Sequence, residues 1–410
     1  MMNQPTVAHG SRIYYLDALR AFALMLGVVF HASISFLPIY IGWAVMDVST
    51  SPVIATFMLV SHSFRMELFF LIAGFFSHLV LNKVGIKSFV QSRLIKLAVP
   101  FIVAWFVLKP LLISGWIMGA QSMQGEAQIF ESLAGGFNML TQLPKDVFVG
   151  THLWFLYYLL LVTFTLLIGR AIFCYANSKI SVNFFKNTFI WLCKGALGII
   201  VLSLLTTIIM WFMSSWSVDT PDKSLVPNFP VYVLYFAFFI MGYLLHKIEG
   251  CLDDFATLST IKFTLAAVSI IVSNLLSGYE MQYGHGNYFF IKIGYLVSYS
   301  VMMWTLVSIS IGLFKCWFNK PKKFISYIAD ASYWIYLIHL PIVIFLQIAV
   351  AELPWHWSLK LGFVVSVTLC LSLFIYDLLI RPTIIGWVLN AKQKPSYFIS
   401  KIHTAKINRP

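Results

Sequence analysis

The sequence predicts an all-α, polytopic membrane protein with about ten transmembrane helices and both termini cytoplasmic. Three observations predict it. Hydrophobic residues make up 60% of the 410-residue chain and charged residues only 10%, against roughly 25% charged in a soluble globular protein. The mean hydropathy is +0.85. The apolar residues fall into runs near 20 long, the length a helix needs to cross ~30 Å of hydrocarbon. This composition excludes a soluble enzyme, a disordered protein and a nucleic-acid partner.

The runs lie at 16–37, 57–81, 95–117, 153–174, 189–213, 230–246, 261–277, 288–314, 332–350 and 359–385. The longest hydrophilic insertion is 118–151. Residues 1–390 read as one transmembrane domain and 391–410 as a basic cytoplasmic tail. If the N-terminus is inside, 22 of the 28 lysines and arginines fall on inner segments. The outer loops hold Asp47, Glu126, Glu131, Asp146, Asp219, Asp222, Glu280 and Glu352. That asymmetry follows the positive-inside rule and accounts for the net charge of +13 as a topology signal. Losing one span would invert every later loop, so the charges support an even number. The five cysteines are scattered, with neither a disulfide framework nor metal-ligand spacing, and no metal is expected.

Ionisable residues inside spans are costly in lipid and usually face the bundle interior. Span one carries Asp17, Arg20, Leu24, Gly27, His31 and Ser35 at steps of three and four, one helical stripe. At ~1.5 Å per residue His31 stands ~16 Å above Arg20, in the outer half of the membrane. A histidine there serves as general base, proton relay or structural hydrogen-bond hub. Span two places His62, Arg65 and Glu67 at a similar depth, with His62 and Arg65 on one face. Glu67 is expected to pair with His31 and set its tautomer, and Arg65 serves either as a charge stabiliser or as half of a buried ion pair. His152 and Trp154 open span four, as the mouth of a sugar-binding site or as part of an aromatic belt. In span nine Tyr336 and His339 share a face. His339 is expected a turn or two above the inner surface, too low to meet His31. Asp377 and Arg381 are spaced for an i, i+4 salt bridge. Arg93 and Lys96, one turn apart in the inner loop, suit a phosphate or a membrane anchor equally.

No Walker A, H-E-x-x-H or G-x-S-x-G pattern occurs, which argues against ATP-driven transport, zinc proteolysis and ordinary serine hydrolysis. A transporter or flippase for a polar lipid or sugar would also use intramembrane Arg65, Glu67 and His31, but the chain lacks the internal repeat common in such proteins.

Tyr15-Leu16-Asp17-Ala18-Leu19-Arg20-Ala21 leading to Phe30-His31 resembles the first-helix motif of the acyltransferase 3 family. Phe69-Phe70-Leu71-Ile72-Ala73-Gly74-Phe75 resembles that family's phenylalanine-rich segment, and Ser332 to Pro341 its late Tyr-x-x-His motif. Arg93 to Lys96 stands where the family commonly has R-x-x-R, with lysine replacing the second arginine. His62 to Met66 and His152 to Leu156 are similar to the glucans biosynthesis protein C group. The resemblance implies a cytoplasmic acyl-CoA donor (succinyl-CoA or acetyl-CoA) and a glycan acceptor on the outer face. The membrane would be a bacterial-type inner membrane, and a homo-oligomer is compatible. On the acyltransferase reading, the span pattern makes His31, Glu67 and Arg65 the expected catalytic residues. His62, Ser35, His152, Trp154, Tyr336 and His339 would be substrate-binding, and Arg93, Lys96 and Arg20 would hold the CoA phosphates.

Overall fold

The computed structural model describes residues 13–138, 140, 151–175, 182–390 and 393–397. Arg12, Lys145, Asp146, Lys179 and most of the basic tail, Lys392, Lys401, Lys406 and Arg409 included, lie outside the described residues. No strand occurs among the described residues.

The first helices are α1 (Tyr14–Ser33), α2 (Pro52–Arg93), α3 (Val99–Ser122), α4 (Ile129–Asn138) and α5 (Trp154–Tyr175). Then come α6 (Val182–Cys193), α7 (Gly195–Met210), α8 (Phe229–Lys247), α9 (Cys251–Phe255) and α10 (Thr260–Ser277). The last are α11 (Tyr288–Trp317), α12 (Lys323–Val350), α13 (Trp357–Ile375) and α14 (Ile384–Asn390). Among the described residues, eight helical stretches are long and apolar enough to cross a membrane, or nine with the bent pair α6–α7. One of the eight, Pro52–Ser122, has 71 residues. At ~1.5 Å per residue that is over three bilayer cores if straight. It doubles back instead: Gly85 has φ 76° and ψ 171°, and Arg93 Nη2 reaches Ser77 Oγ at 3.0 Å, sixteen residues earlier. Two crossings therefore lie in this stretch, and the count among the described residues is nine, or ten with the bent pair taken as one span.

The expected span at 189–213 is broken. α6 and α7 meet at 106°, the turn made at Gly195 with φ 67°. α6 exposes Phe184, Phe185 and Trp191 and carries Lys186, the pattern of a helix lying along the interface. The break falls at Lys194-Gly195, the one charged residue in that run and the glycine that makes the turn. α10 has the reverse of a soluble helix's faces. Ile261, Val268, Ile271 and Leu275 point outward, while Lys262, Ala266, Ser269 and Ser273 are buried. Lipid wets the apolar stripe, and small or polar residues permit close packing inside. The Lys262 ammonium donates to Phe255 O, Thr257 O and Ser308 Oγ at 2.8–3.0 Å, so it is a packing element.

α1 is the central helix, packed by α2, α11, α12 and α13. The tightest pairing joins α2 to α8. A Cβ on Gly74 would overlap the Phe239 carbonyl, and one on Gly242 would overlap the Leu71 carbonyl, so the two backbones touch where side chains are absent. The segment 37–51 folds back over the outer end of α1. It is fastened by an Asp47–Lys360 ion pair of 2.7 Å whose side chains are both buried, and by Asp47 N–Ser35 O and Val48 N–Ala351 O hydrogen bonds. The Arg381–Asp377 salt bridge forms as the spacing predicts, at 3.0 Å.

Candidate active site

Two cavities lie one above the other along α1. The outer one is walled by His31 of α1, His62 and Arg65 of α2, His152 before α5, and Tyr336 and His339 of α12. The inner one, of about 340 Å³, is bordered by Arg20, Arg93 and Lys96 and otherwise mainly by apolar side chains. Leu24, Phe69, Phe155 and Tyr336 belong to both walls. These four form the partition between a cationic inner chamber and a histidine-rich outer one.

In the outer cavity the Arg65 guanidinium lies 4.4 Å from the Phe30 ring centroid, beside Gly27. Arg65 is 7% exposed, forms no ion pair among the described residues, and its Nη1 has no hydrogen-bond partner. A buried cation in that condition is unfavourable until an anion reaches it. His62 Nε2 stands 3.2 Å from Thr220 Oγ1, on the loop between α7 and α8. That loop is braced by Asp219. Burial raises its carboxyl pKa, but hydrogen bonds from Ser214 N, Ser215 N and Ser215 Oγ outweigh burial and lower it below the ordinary value. His152 Nε2 donates to Leu337 O at 3.0 Å, and Tyr336 Oη donates to His152 O at 2.8 Å. This reciprocal pair docks the start of α5 onto α12.

Three expectations need correcting. His339 was expected below His31, yet the two rings are 5.3 Å apart between centroids. α12 begins at Lys323, nine residues before the apolar run, so His339 lies ~24 Å along the helix and not near its inner end. Glu67 was expected to orient His31. It is fully buried off the cavity wall, and neither carboxylate oxygen has a hydrogen-bond partner. Two residues on from Arg65 is about 200° around the helix, so a side chain there faces away from Arg65's cavity. Ser35 sits in a 3-10 turn above α1, buried and off the cavity wall. Trp154 does reach the cavity, but one ring face is taken by Tyr235, stacked at 5.6 Å and 24°.

At the inner cavity Arg93 donates to Ser77 Oγ and covers the Phe89 ring at 4.9 Å. Arg20 is 3.6 Å from Asp17. Lys96 lies in a π-helical turn, Leu94–Ala98, and its carbonyl accepts from Tyr333 Oη at 2.6 Å. Such turns are frequent at functional sites because they redirect side chains.

The residue reading missed Trp43, Gln347 and Tyr235. Trp43 stacks on His31 at 5.9 Å and 15°, and its Nε1 donates to Gln347 Oε1 at 2.9 Å. Gln347 Nε2 donates to the carbonyls of His31 and Ala32, each at 3.0 Å. Gln347 had a signal: an amide inside a span, eight residues from His339 and so on its face. Trp43 had none, because only the fold brings segment 37–51 over α1.

This constellation stands on helices whose order and motifs match a known family. A profile described as an acyltransferase domain, of the acyltransferase 3 type, matches residues 13–377. The chain belongs to the acyltransferase 3 family. Relatives of similar length include the glucans biosynthesis protein C of Escherichia coli O157:H7 and of Escherichia coli strain K12. Each is 26% identical over 392 residues, 93% of this chain and 95% of the relative. No solved structure matches this acyltransferase 3 protein. No cluster of three or more candidate metal ligands occurs among its described residues.

Proposed function

We infer that this acyltransferase moves a small acyl group, succinyl or acetyl, from cytoplasmic acyl-CoA to hydroxyl groups of a glycan on the outer face of a bacterial inner membrane. The acceptor class is a glucan, after the name of the relatives at 26% identity, and the family resemblance of the sequence narrows it to an osmoregulated periplasmic glucan. The observation that carries this reading is the pair of cavities with a common wall. A polyanionic CoA cannot cross the bilayer and a glycan acceptor cannot enter from the cytoplasm, so the thioester and the hydroxyl must meet inside the protein. Arg20, Arg93 and Lys96 provide cationic charge for CoA phosphates at the inner chamber. The acyl end then extends through the apolar chamber to the partition. In the outer chamber His31 takes the proton from the acceptor hydroxyl as its oxygen bonds to the thioester carbon. The carbon–sulfur bond breaks, and the proton passes to the departing sulfur. Arg65 meets the negative charge, either on the carbonyl oxygen or on a succinyl carboxylate. His62, His152 and Tyr336 shape the chamber that receives the sugar.

The test is transfer by purified protein in liposomes supplied with radiolabelled succinyl-CoA or acetyl-CoA and a β-glucan. Label is expected on the glucan with wild-type protein and not with His31→Ala at equal abundance. Absence of His31-dependent CoA release from either donor would overturn the reading and favour translocation of a polar lipid or sugar.

A further inference from the structure

His31 is the base in the mechanism above, but a base must present a lone pair, and a neutral imidazole has only one. Which nitrogen carries it is set by what the other nitrogen touches. Glu67, the expected acidic partner, is off the cavity wall and makes no hydrogen bond to His31. The question of what holds the His31 tautomer is therefore open on the geometry.

His31 Nδ1 is buried and has no hydrogen-bond partner. Three rings touch the His31 ring: Phe30 at 5.5 Å, Trp43 at 5.9 Å and His339 at 5.3 Å between centroids. Phe30 offers no lone pair. Trp43 is a donor only, and its Nε1 already binds Gln347 Oε1. His339 is different. Its Nδ1 faces two carbonyl oxygens, Tyr336 O at 2.7 Å and Ile335 O at 3.2 Å. Both accept, so Nδ1 must carry the hydrogen. The neutral ring then has its lone pair on Nε2, and that atom is buried with no partner. Two buried, unpartnered nitrogens on adjacent rings thus have complementary needs: one can give a hydrogen and the other can only receive one. Leaving both unmade in a low-dielectric interior is costly.

We propose that His339 is the positioning residue of this site. Its Nε2 accepts the hydrogen of His31 Nδ1, which fixes His31 with its lone pair on Nε2, facing the acceptor hydroxyl. This rests on the acyl-transfer reading above and gives it a histidine–histidine pair where sequence favoured histidine–glutamate. At 5.3 Å between centroids the two nitrogens come within hydrogen-bond reach once they point at each other. When His31 takes the hydroxyl proton it becomes a cation, and the His339 lone pair stabilises the charge at Nδ1. The proton leaves from His31 Nε2 to the departing thiolate. His339 neither gains nor loses a proton. The rest of the neighbourhood supports the pair. His152, 5.5 Å from His339, has its Nε2 hydrogen committed to Leu337 O and does not compete for His31. Gln347 holds the His31 backbone through its carbonyl, and Trp43 covers one face of the ring.

The test uses the full-length protein in detergent and in liposomes, with two independent readouts. The first is kinetic. His339→Phe keeps an aromatic ring but removes the lone pair, and His339→Gln restores an acceptor oxygen. His339→Phe is expected to lower kcat about 100-fold, with KM for acyl-CoA within about twofold of wild type, and His339→Gln to recover about tenfold of that loss. A purely packing role predicts the opposite order, with Phe tolerated better than Gln. The second readout needs no activity. Nitrogen-15 histidine spectra, with the His31 resonances identified by their loss in His31→Ala, report which nitrogen is protonated. Protonated Nδ1 in wild type, altered in His339→Phe, supports the pair. Protonated Nε2 in wild type overturns it, as does His339→Phe activity within about threefold of wild type. If wild-type protein shows no His31-dependent transfer, the functional reading fails while the spectra still decide the pairing.

Discussion

Arg65 shows how a single residue's burial becomes chemistry. Its guanidinium is 7% exposed, unpaired by any carboxylate, and faces the same chamber as His31. Removing such a charge relieves a desolvation cost, so Arg65→Gln is expected to leave abundance and thermal stability at or above wild type while transfer falls. If Arg65 holds the acyl carboxylate, the loss concentrates on succinyl-CoA. The ratio of kcat/KM for succinyl-CoA over acetyl-CoA is then expected to drop about tenfold in Arg65→Gln. Equal losses on both donors would assign Arg65 to the carbonyl oxygen instead. His31→Ala is expected to lower kcat by about 10²–10⁴-fold on either donor without loss of expression, measured as label transferred per folded protein. His31, His62 and Arg65 were legible in the sequence because an ionisable residue in an apolar run stands out against its neighbours, and helical spacing places it on a face. Glu67 stood out equally and was misplaced. Its place inside a span could be read from the sequence, but its neighbour across a helix pair could not. His339 was misplaced for a different reason. The expected run began only at Ser332 and so understated α12, whose first turns, Lys323–Asp330, carry Lys323, Ser326 and Asp330 among apolar residues.

At the level of elements, the α2–α8 contact and the α7–α8 loop carry the outer chamber. Gly74 meets the Phe239 carbonyl and Gly242 meets the Leu71 carbonyl, each where a Cβ would overlap backbone. Backbone cannot rotate away as a side-chain tip can, so Gly74→Ala or Gly242→Ala must push the helices apart. Each is expected to destabilise by about 1–3 kcal/mol. The double variant should cost less than the sum, because the first separation relieves the second clash. Thermal unfolding in detergent measures this, and an additive double variant would mean that the helices do not share one contact. The loop makes a separate prediction. Hydrogen bonds to Asp219 hold its carboxyl below its ordinary value near ~3.9. A lowered folded pKa gives stabilisation that is full above about pH 4 and lost as pH falls through the folded value. Protection factors for hydrogen exchange over residues 211–228 should therefore fall below about pH 4, and Asp219→Asn should flatten that dependence. Pattern reading recovered nearly every crossing here, including the short α10, because lipid imposes a length. It failed at α6–α7, where the expected run 189–213 joined the end of α6 to α7 across Lys194-Gly195, although the chain bends there by 106°.

Across the whole molecule the partition decides what can pass. Leu24, Phe69, Phe155 and Tyr336 come from α1, α2, α5 and α12, and no sequence distance predicts that they meet. They divide the path from the cationic chamber to His31. Tyr336 is held by its hydrogen bond to His152 O, whereas Phe155 packs edge-on to Phe70 at 5.2 Å and tilted to Phe69 at 5.4 Å. Phe155 can therefore be truncated without breaking a polar contact of the site. Phe155→Ala is expected to join the chambers and admit longer or bulkier acyl groups. Removing a buried aromatic costs about 3–5 kcal/mol, so the comparison must be made per folded protein. The measurement is kcat/KM across acetyl-, butyryl- and hexanoyl-CoA with one glucan acceptor. Wild type should decline with length. Phe155→Ala should decline less steeply, because an apolar site gains roughly 0.8 kcal/mol per methylene it can bury. The same widening should let water reach the thioester, raising acceptor-independent CoA release. A parallel downward shift at every length, with no rise in release, would place Phe155 in packing alone. The cavities would then be joined by another route.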